Sequence, residues 1–188
     1  MKRAAMLFCA NIDPARYKVL RQRGQLPFVG SDDQAANKWA DFTLDDAFRL
    51  RLSLDLIGEK LDDETQLNGL GPSYVASIVF NVLSKFDQQP LKQDAESDPW
   101  AGAKGDLWAG VLALETSPID DDAYRWSNWF AGELAEVAQW VAQKENEDCQ
   151  NKTRAVRVFL VNVTRAANFV RDRAKELGLP DSDHSTAV

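Results

Sequence analysis

The sequence predicts an α+β, mainly helical fold, in which a helical head precedes a small β-α-β-α module in the C-terminal half. Three helices are expected within residues 1–58, and capping residues mark the second and the third. Two apolar runs, 107–114 and 156–162, have the length of buried strands. We interpret the remainder as a hinge, a connecting helix and a loop over 59–105, the module over 106–180, and a disordered tail over 181–188.

The first two helices are delimited by local signals. The first is expected from residue 3 to residue 8 or 9. Asp13 is a favourable N-cap for the second helix, and Pro14 suits its first position because an N–H there needs no helical partner. Gly24 can adopt the left-handed conformation just after its end. Two short helices joined by a tight connection predict a helix-turn-helix.

A wing and a third helix are expected next. Residues 26–30 form an extended segment, 31–37 a polar turn, and 38–42 a returning strand. Thr43 caps the third helix, with Asp46 three residues later in a capping-box arrangement. Its predicted buried face comprises Ala47, Leu50, Leu54 and Ile57, widened by Phe48 and Leu52, and Gly58 marks its end. Together these elements predict an N-terminal winged helix-turn-helix.

Local helix and strand signals also predict the elements of the connecting region and the module. Pro72 opens a helix over 73–86, in which Val75, Ile78, Val79, Val82, Leu83 and Phe86 are expected to be buried. Between the two predicted strands, Asp120 to Lys144 has the pattern of a long amphipathic helix with Trp126, Phe130, Val137 and Val141 on its apolar face. Thr164 is expected to cap a final helix to Leu177, ended by Gly178. The simplest topology pairs the two strands in parallel.

Composition and charge restrict the function. The 188 residues carry a net charge of −7, but residues 1–60 carry +2 and the remainder −9, which suits a DNA contact made by one end only. No apolar run approaches the ~18 residues that cross a membrane. Cys9 and Cys149 are far apart in the chain, and we expect a cytoplasmic protein with free thiols, no cofactor and no metal. The single histidine, His184, lies in the predicted tail, which leaves no histidine-based catalytic arrangement, and no enzyme is predicted.

The head resembles the N-terminal domain of MerR-type regulators over about a third of the chain. Three pieces carry the resemblance: Asp13-Pro14 opening the second helix, Gly24-Gln25-Leu26-Pro27 closing it, and Phe42-Thr43-Leu44-Asp45-Asp46 before the third. Lys18-Val19-Leu20 stand where the family usually has Arg-Tyr-Tyr, and Ala40 replaces the usual wing arginine. The resemblance implies a transcriptional regulator that binds double-stranded DNA, and a homodimer is compatible with it.

Basic residues of the second helix and the wing are the candidate DNA contacts. Tyr17 and Leu20 are expected to pack inward, which turns the neighbouring cations toward solvent. The predicted DNA-binding residues are Arg16, Lys18, Arg21, Arg23 and Lys38. For Trp39 we favour packing on the third helix.

Two other functions fit the sequence less well. The head could serve as a packing unit of a phage- or prophage-type assembly protein. An enzyme in residues 106–180 is the third hypothesis, although no catalytic motif is visible there.

Overall fold

The computed structural model describes residues 1–28, 41–58, 106–116, 125–149 and 153–179, together with 71, 72, 75, 76 and 79. Apart from the helical residues at 72, 75, 76 and 79, these residues form five helices and a three-stranded antiparallel sheet, so the α+β class is confirmed. In chain order the elements are α1 (Arg3–Ala10), α2 (Pro14–Gln22), α3 (Leu44–Ile57), β1 (Leu107–Thr116), β2 (Arg125–Glu133), α4 (Leu134–Cys149), β3 (Thr153–Asn162) and α5 (Val163–Glu176). No described helix has both the length and the apolarity needed to cross a lipid bilayer.

The chain divides into two compact units. One contains residues 1–81 and 165–188, and the other contains residues 82–164. The first unit therefore takes up most of α5, whereas the sequence pattern groups this helix with the strands.

The three predicted helices of residues 1–58 are confirmed, including the caps of α2 and α3. The Asp13 carboxylate caps α2, and Thr43 and Asp46 form a complete capping box at the start of α3. Gly24 has the expected positive φ of 62°. On α3 the predicted face is buried except at Ile57, which is half-buried, and Leu44 and Leu56 extend it.

Part of the connecting helix is also confirmed. Pro72, Val75 and Val79 are helical, and both valines are fully buried. The Val75 N–H donates to the carbonyl of Gly71 over 3.0 Å, as in a helical turn. The expected burial of Ile78, Val82, Leu83 and Phe86 falls outside the described residues.

Most of the predicted wing also falls outside the described residues, at 29–40. Its two described flanks approach each other: the rings of Phe28 and Phe42 meet edge to face with centroids 6.3 Å apart. The backbone of Phe42 pairs with Met1, whose carbonyl accepts the Phe42 N–H over 2.7 Å. Neither flank is itself a strand.

In the second unit, the predicted β-α-β-α order and the parallel pairing are wrong. The long helix expected over 120–144 is replaced at its start by β2, and the helix begins only at Leu134. The observed order is β-β-α-β, continuing into α5, with the strands arranged β2-β1-β3. Both neighbours of β1 run antiparallel to it, with Gly110 opposite both Phe130 and Leu160.

Helix α4 packs against the sheet at Gly110. A Cβ on this glycine would lie 3.1 Å from the Leu160 side chain and 3.3 Å from that of Val137, so the absence of a side chain lets these two meet. Phe130 and Trp140 stack beside this contact with centroids 5.4 Å apart. Part of the core of this unit therefore lies between α4 and this face of the sheet, and Ala109 and Val111, on the opposite face of β1, are buried as well.

Helix α5 follows β3 directly. Thr164 was expected to be its N-cap, which is wrong: α5 begins at Val163, and the Thr164 hydroxyl accepts the Leu107 N–H over 2.9 Å. The expected end is confirmed, since Gly178 has a φ of 66° and its N–H returns to the Lys175 carbonyl. The buried residues of this helix recur at helical spacing along one face, namely Ala166, Ala167, Val170 and Ala174.

Candidate nucleic-acid interface

Helix α2 is fixed at both of its ends. The Asp13 carboxylate accepts the N–H groups of Ala15, over 2.7 Å, and Arg16, over 3.3 Å. At the other end the Gln25 N–H donates to the Leu20 carbonyl over 2.9 Å, and the Gly24 N–H donates to the Arg21 carbonyl over 3.0 Å. These two bonds form a Schellman motif, which satisfies the last carbonyls of the helix. The nine-residue helix therefore presents its side chains from a defined backbone.

The orientation of α2 agrees with the prediction. Tyr17 and Leu20 are buried, with only 3% and 6% of their surface exposed. The opposite face, at the i, i+3, i+4 and i+7 spacing of a helix, consists of Ala15, Lys18, Val19 and Gln22, all of them exposed. Arg23 is exposed beside this face, and Arg16 and Arg21 are half-buried on its two flanks.

Positive charge is concentrated in the sequence segment that contains this helix. Residues 1–28 contain six basic and one acidic residue, a net of +5, whereas residues 29–60 contain four basic and seven acidic residues, a net of −3. The excess of +2 over residues 1–60 is thus the sum of a strongly basic segment and an acidic one. A local field of this kind attracts phosphate even on a chain whose total charge is negative.

Three cations outside α2 are paired with carboxylates. Arg49 contacts Asp45 over 2.5 Å within α3, and Arg51 contacts Asp55 in the same way. Lys2 contacts Asp41 over 2.8 Å, and this hydrogen bond lowers the pKa of the Asp41 carboxyl.

The predicted DNA-contacting residues at α2 differ from these three cations in their ion pairing. Arg16, Lys18 and Arg23 form no ion pair with any residue that the structure describes. Three of the five predicted contacts, Arg16, Lys18 and Arg21, therefore lie together on α2, Arg23 directly follows this helix as its C-cap, and the fifth, Lys38, lies outside the described residues.

Two residues of this surface are missing from the predicted site. Val19 is 43% exposed at the centre of the face, and Gln22 is exposed one turn later. The prediction from sequence rests on charge, and neither residue is charged. The four-residue spacing of Ala15, Val19 and Arg23 indicates that Val19 belongs to this surface, and the seven-residue spacing from Ala15 indicates the same for Gln22.

This combination of groups suits the major groove of DNA. Guanidinium groups donate two hydrogen bonds to guanine, a glutamine amide can do the same to adenine, and aliphatic side chains contact the thymine methyl group. Lysine meets phosphate as a point charge. No part of the exposed α2 face carries a carboxylate, since Asp13 directs its carboxylate to the helix N-terminus.

Other kinds of site are not apparent in the described part of the chain. No group of three or more His, Cys, Asp or Glu side chains is placed to hold a metal ion there. Cys9 is a free thiol, but it is completely buried, and burial raises its pKa, so it is not a reactive thiolate.

Comparisons of the chain with protein-family models, with curated proteins and with solved structures found no match. The resemblance of the head to MerR-type regulators therefore stays a prediction from its motifs.

Proposed function

We propose that this protein binds double-stranded DNA in a sequence-specific manner through α2 and acts as a transcriptional regulator, with residues 1–58 forming a winged helix-turn-helix. The observation that carries the proposal is the exposed face of α2, where Lys18 and Arg23 are exposed, Arg16 lies on the flank, and none of them has an ion-pair partner among the described residues. A cation without a carboxylate partner can contact phosphate without first breaking an ion pair. Both ends of the helix are capped, so its backbone needs little ordering on binding.

The free energies of base contacts favour sequence recognition over nonspecific attraction alone. Each well-formed bidentate base contact discriminates against a wrong base by about 1–3 kcal/mol. Arg16, Arg23 and Gln22 are three side chains on this surface with suitable donor geometry. Two such contacts would therefore separate a specific site from random sequence by about two to four orders of magnitude.

The second unit has the character of a protein-contact module in this proposal. Residues 82–164 contain fourteen acidic and eight basic residues, a net of −6, which makes DNA contact by this unit unfavourable. It also carries an open groove of about 380 Å³ lined only by alanine, valine and leucine side chains of α4 and β3. An exposed apolar surface of this kind is typical of protein association.

The test of DNA binding uses the full chain and two matched double variants. Genomic DNA fragments are selected for binding, and affinity for the retained duplex is measured by fluorescence anisotropy over a range of salt concentrations. Arg16→Ala with Lys18→Ala is expected to weaken binding by at least tenfold and to lower the salt slope by about 1 for each phosphate that the helix no longer neutralises. Arg171→Ala with Lys175→Ala removes the same charge from α5 and is expected to leave affinity within about twofold.

Three results would contradict the proposal. The first is the absence of binding to any duplex at low salt, and the second is an equal decrease of affinity in both double variants. The third is a selection that retains no common sequence, which would reduce the activity to nonspecific attraction.

A further inference from the structure

The exposed face of α2 has an apolar residue at its centre. Val19 is 43% exposed, whereas Tyr17 and Leu20, on the other side of the helix, are buried. A β-branched side chain is also a poorer helix former than alanine, because it loses rotamer freedom against the preceding turn. Neither core packing nor helix propensity therefore accounts for a valine at this position.

The surroundings of Val19 are basic. Lys18 precedes it, and Arg16 and Arg23 lie three residues before and four residues after it, at the spacing of one helical turn. These three cations form no ion pair with any residue that the structure describes. A stable protein interface buries about 800 Å² of each partner around an apolar centre depleted of charge, which one valine among cations does not provide. The charge around Val19 instead favours a partner that carries phosphate.

DNA offers an apolar group that matches a single valine in size. On the base edges of the major groove this group is the C5 methyl of thymine, and aliphatic side chains contact it. Ala15, one turn before Val19, is small and exposed, so no long side chain at that position keeps the helix away from the bases. Gln22, three residues after Val19, carries an amide that suits adenine. The groups beside Val19 thus suit the base pair that contains a thymine.

We propose that Val19 selects thymine at one position of the DNA site by contacting its methyl group in the major groove. This inference rests on the proposed function and names the base that the apolar part of the α2 surface recognises. Cytosine at the same position lacks the methyl group and presents an amino donor, for which a valine side chain has no acceptor. The side chain loses little freedom on binding, because the χ1 angle of a helical valine is already restricted. Burial of one methyl group corresponds to about a fourfold gain in affinity.

The test uses the full chain and a duplex retained from genomic fragments. Each thymine of that duplex is replaced in turn by uracil, which removes the methyl group and keeps the base pair. Fluorescence anisotropy is expected to show one thymine position in each recognised sequence at which the wild type then binds about fourfold more weakly. Val19→Ala is expected to bind the original duplex about fourfold more weakly and the uracil duplex within about twofold of the wild type. Alanine is the better helix former, so this variant keeps α2 folded.

Two controls separate a base contact from a general loss of binding. Leu177→Ala, at a leucine with the same 43% exposed fraction outside α2, is expected to keep the wild-type affinity and the full uracil effect. Val19→Ala removes no charge, so its salt slope is expected to equal that of the wild type, unlike that of Arg16→Ala with Lys18→Ala.

A gain of affinity makes the test independent of any folding defect. At the recognised position thymine is replaced by cytosine and then by 5-methylcytosine, which carries its methyl group at the same place. The wild type is expected to bind the methylated duplex about fourfold more tightly than the cytosine duplex, and Val19→Ala is expected to bind the two equally.

The outcomes distinguish this inference from the proposal on which it rests. A duplex that is retained and bound with the expected salt dependence, but responds to uracil at no position, overturns the thymine contact alone. An equal uracil effect in the wild type and in Val19→Ala assigns the methyl contact to another side chain and also overturns it. If no common sequence is retained, sequence-specific binding fails and the thymine contact fails with it.

Discussion

Arg173 and Phe8, 165 residues apart in the chain, are joined by two interactions. The Arg173 Nε donates to the Phe8 carbonyl over 2.7 Å, and its guanidinium carbon lies 3.9 Å from the centre of the Phe8 ring. The same guanidinium also approaches the ring of Phe169 on its own helix. Helix α5 is thereby attached to the C-terminal end of α1.

Replacing this arginine should destabilise the first unit. Arg173→Ala removes a hydrogen bond from a charged donor and a cation–π contact, and we expect a decrease of about 2 kcal/mol in the free energy of unfolding. Lys175→Ala on the exposed side of the same helix should change it by less than about 0.5 kcal/mol. Urea unfolding followed by circular dichroism measures both. Similar decreases in the two variants would show that the contact contributes nothing specific.

The Tyr17 hydroxyl is buried without a hydrogen-bond partner among the described residues, so its removal should be harmless. Only 3% of the Tyr17 surface is exposed. Tyr17→Phe should leave the free energy of unfolding unchanged or raise it by up to about 1 kcal/mol, because a polar atom no longer has to lose its water. Tyr17→Ala should cost about 3–5 kcal/mol through the cavity it leaves. A clear decrease of stability in Tyr17→Phe, measured by urea unfolding, would reveal a partner for the hydroxyl.

Stability should decrease in alkaline solution because of two buried acids. Burial raises the pKa of the Cys9 thiol above its ordinary 9.0 and that of the Tyr17 phenol above its ordinary 10.0. The unfolded chain therefore releases these protons at lower pH than the folded chain, and stability falls with pH wherever the unfolded state binds fewer protons. The contribution is complete below about pH 9 and is lost as the pH rises beyond it.

Denaturation at a series of pH values, in wild type and in Cys9→Ala with Tyr17→Phe, tests this dependence. The double variant should lose stability less steeply above about pH 9. Parallel profiles for the two proteins would assign the alkaline effect to other groups.

The two glycines Gly24 and Gly71 should respond differently to alanine. No atom lies within 4 Å of a Cβ built on either residue, so neither substitution causes a clash. Gly24 has a φ of 62°, where an L-residue is strained by about 1–2 kcal/mol, and Gly24→Ala should destabilise by about that amount. Gly71→Ala should be neutral or stabilising by up to about 1 kcal/mol, because it restricts the unfolded chain. Thermal unfolding of the two variants compares their stabilities. An equal change in stability would mean that the Schellman motif after α2 adapts to a side chain at residue 24 without strain.

The helices of the head were predictable because their signals are local. Asp13 and Pro14 before α2, and Thr43 with Asp46 at α3, act through hydrogen bonds to the next turn of backbone, so the sequence contains everything that determines them. The orientation of α2 was predictable for the same reason, since burial of Tyr17 and Leu20 decides which side chains of a single helix face outward, whereas the DNA contacts themselves stay a prediction.

The second unit was not predictable in the same way. Trp126 and Phe130 are four residues apart, a spacing that places two residues on one face of a helix and equally on one face of a strand. The helical interpretation was wrong because β2 is selected by its pairing with β1, from Leu107 opposite Glu133 to Glu115 opposite Arg125. Such long-range pairing overrides local periodicity. The wrong prediction of parallel pairing has the same cause, because β2 was not recognised as a strand.

The attachment of α5 to α1 has a consequence for the order in which this protein is built. Residues 82–164 are synthesised between the two parts of the first unit, so the ribosome completes the sheet before it has made Arg173. Until then the end of α1 lacks the guanidinium that contacts Phe8. A nascent chain that stops after residue 81 should consequently be cleaved by proteases at the end of α1 faster than the finished protein is.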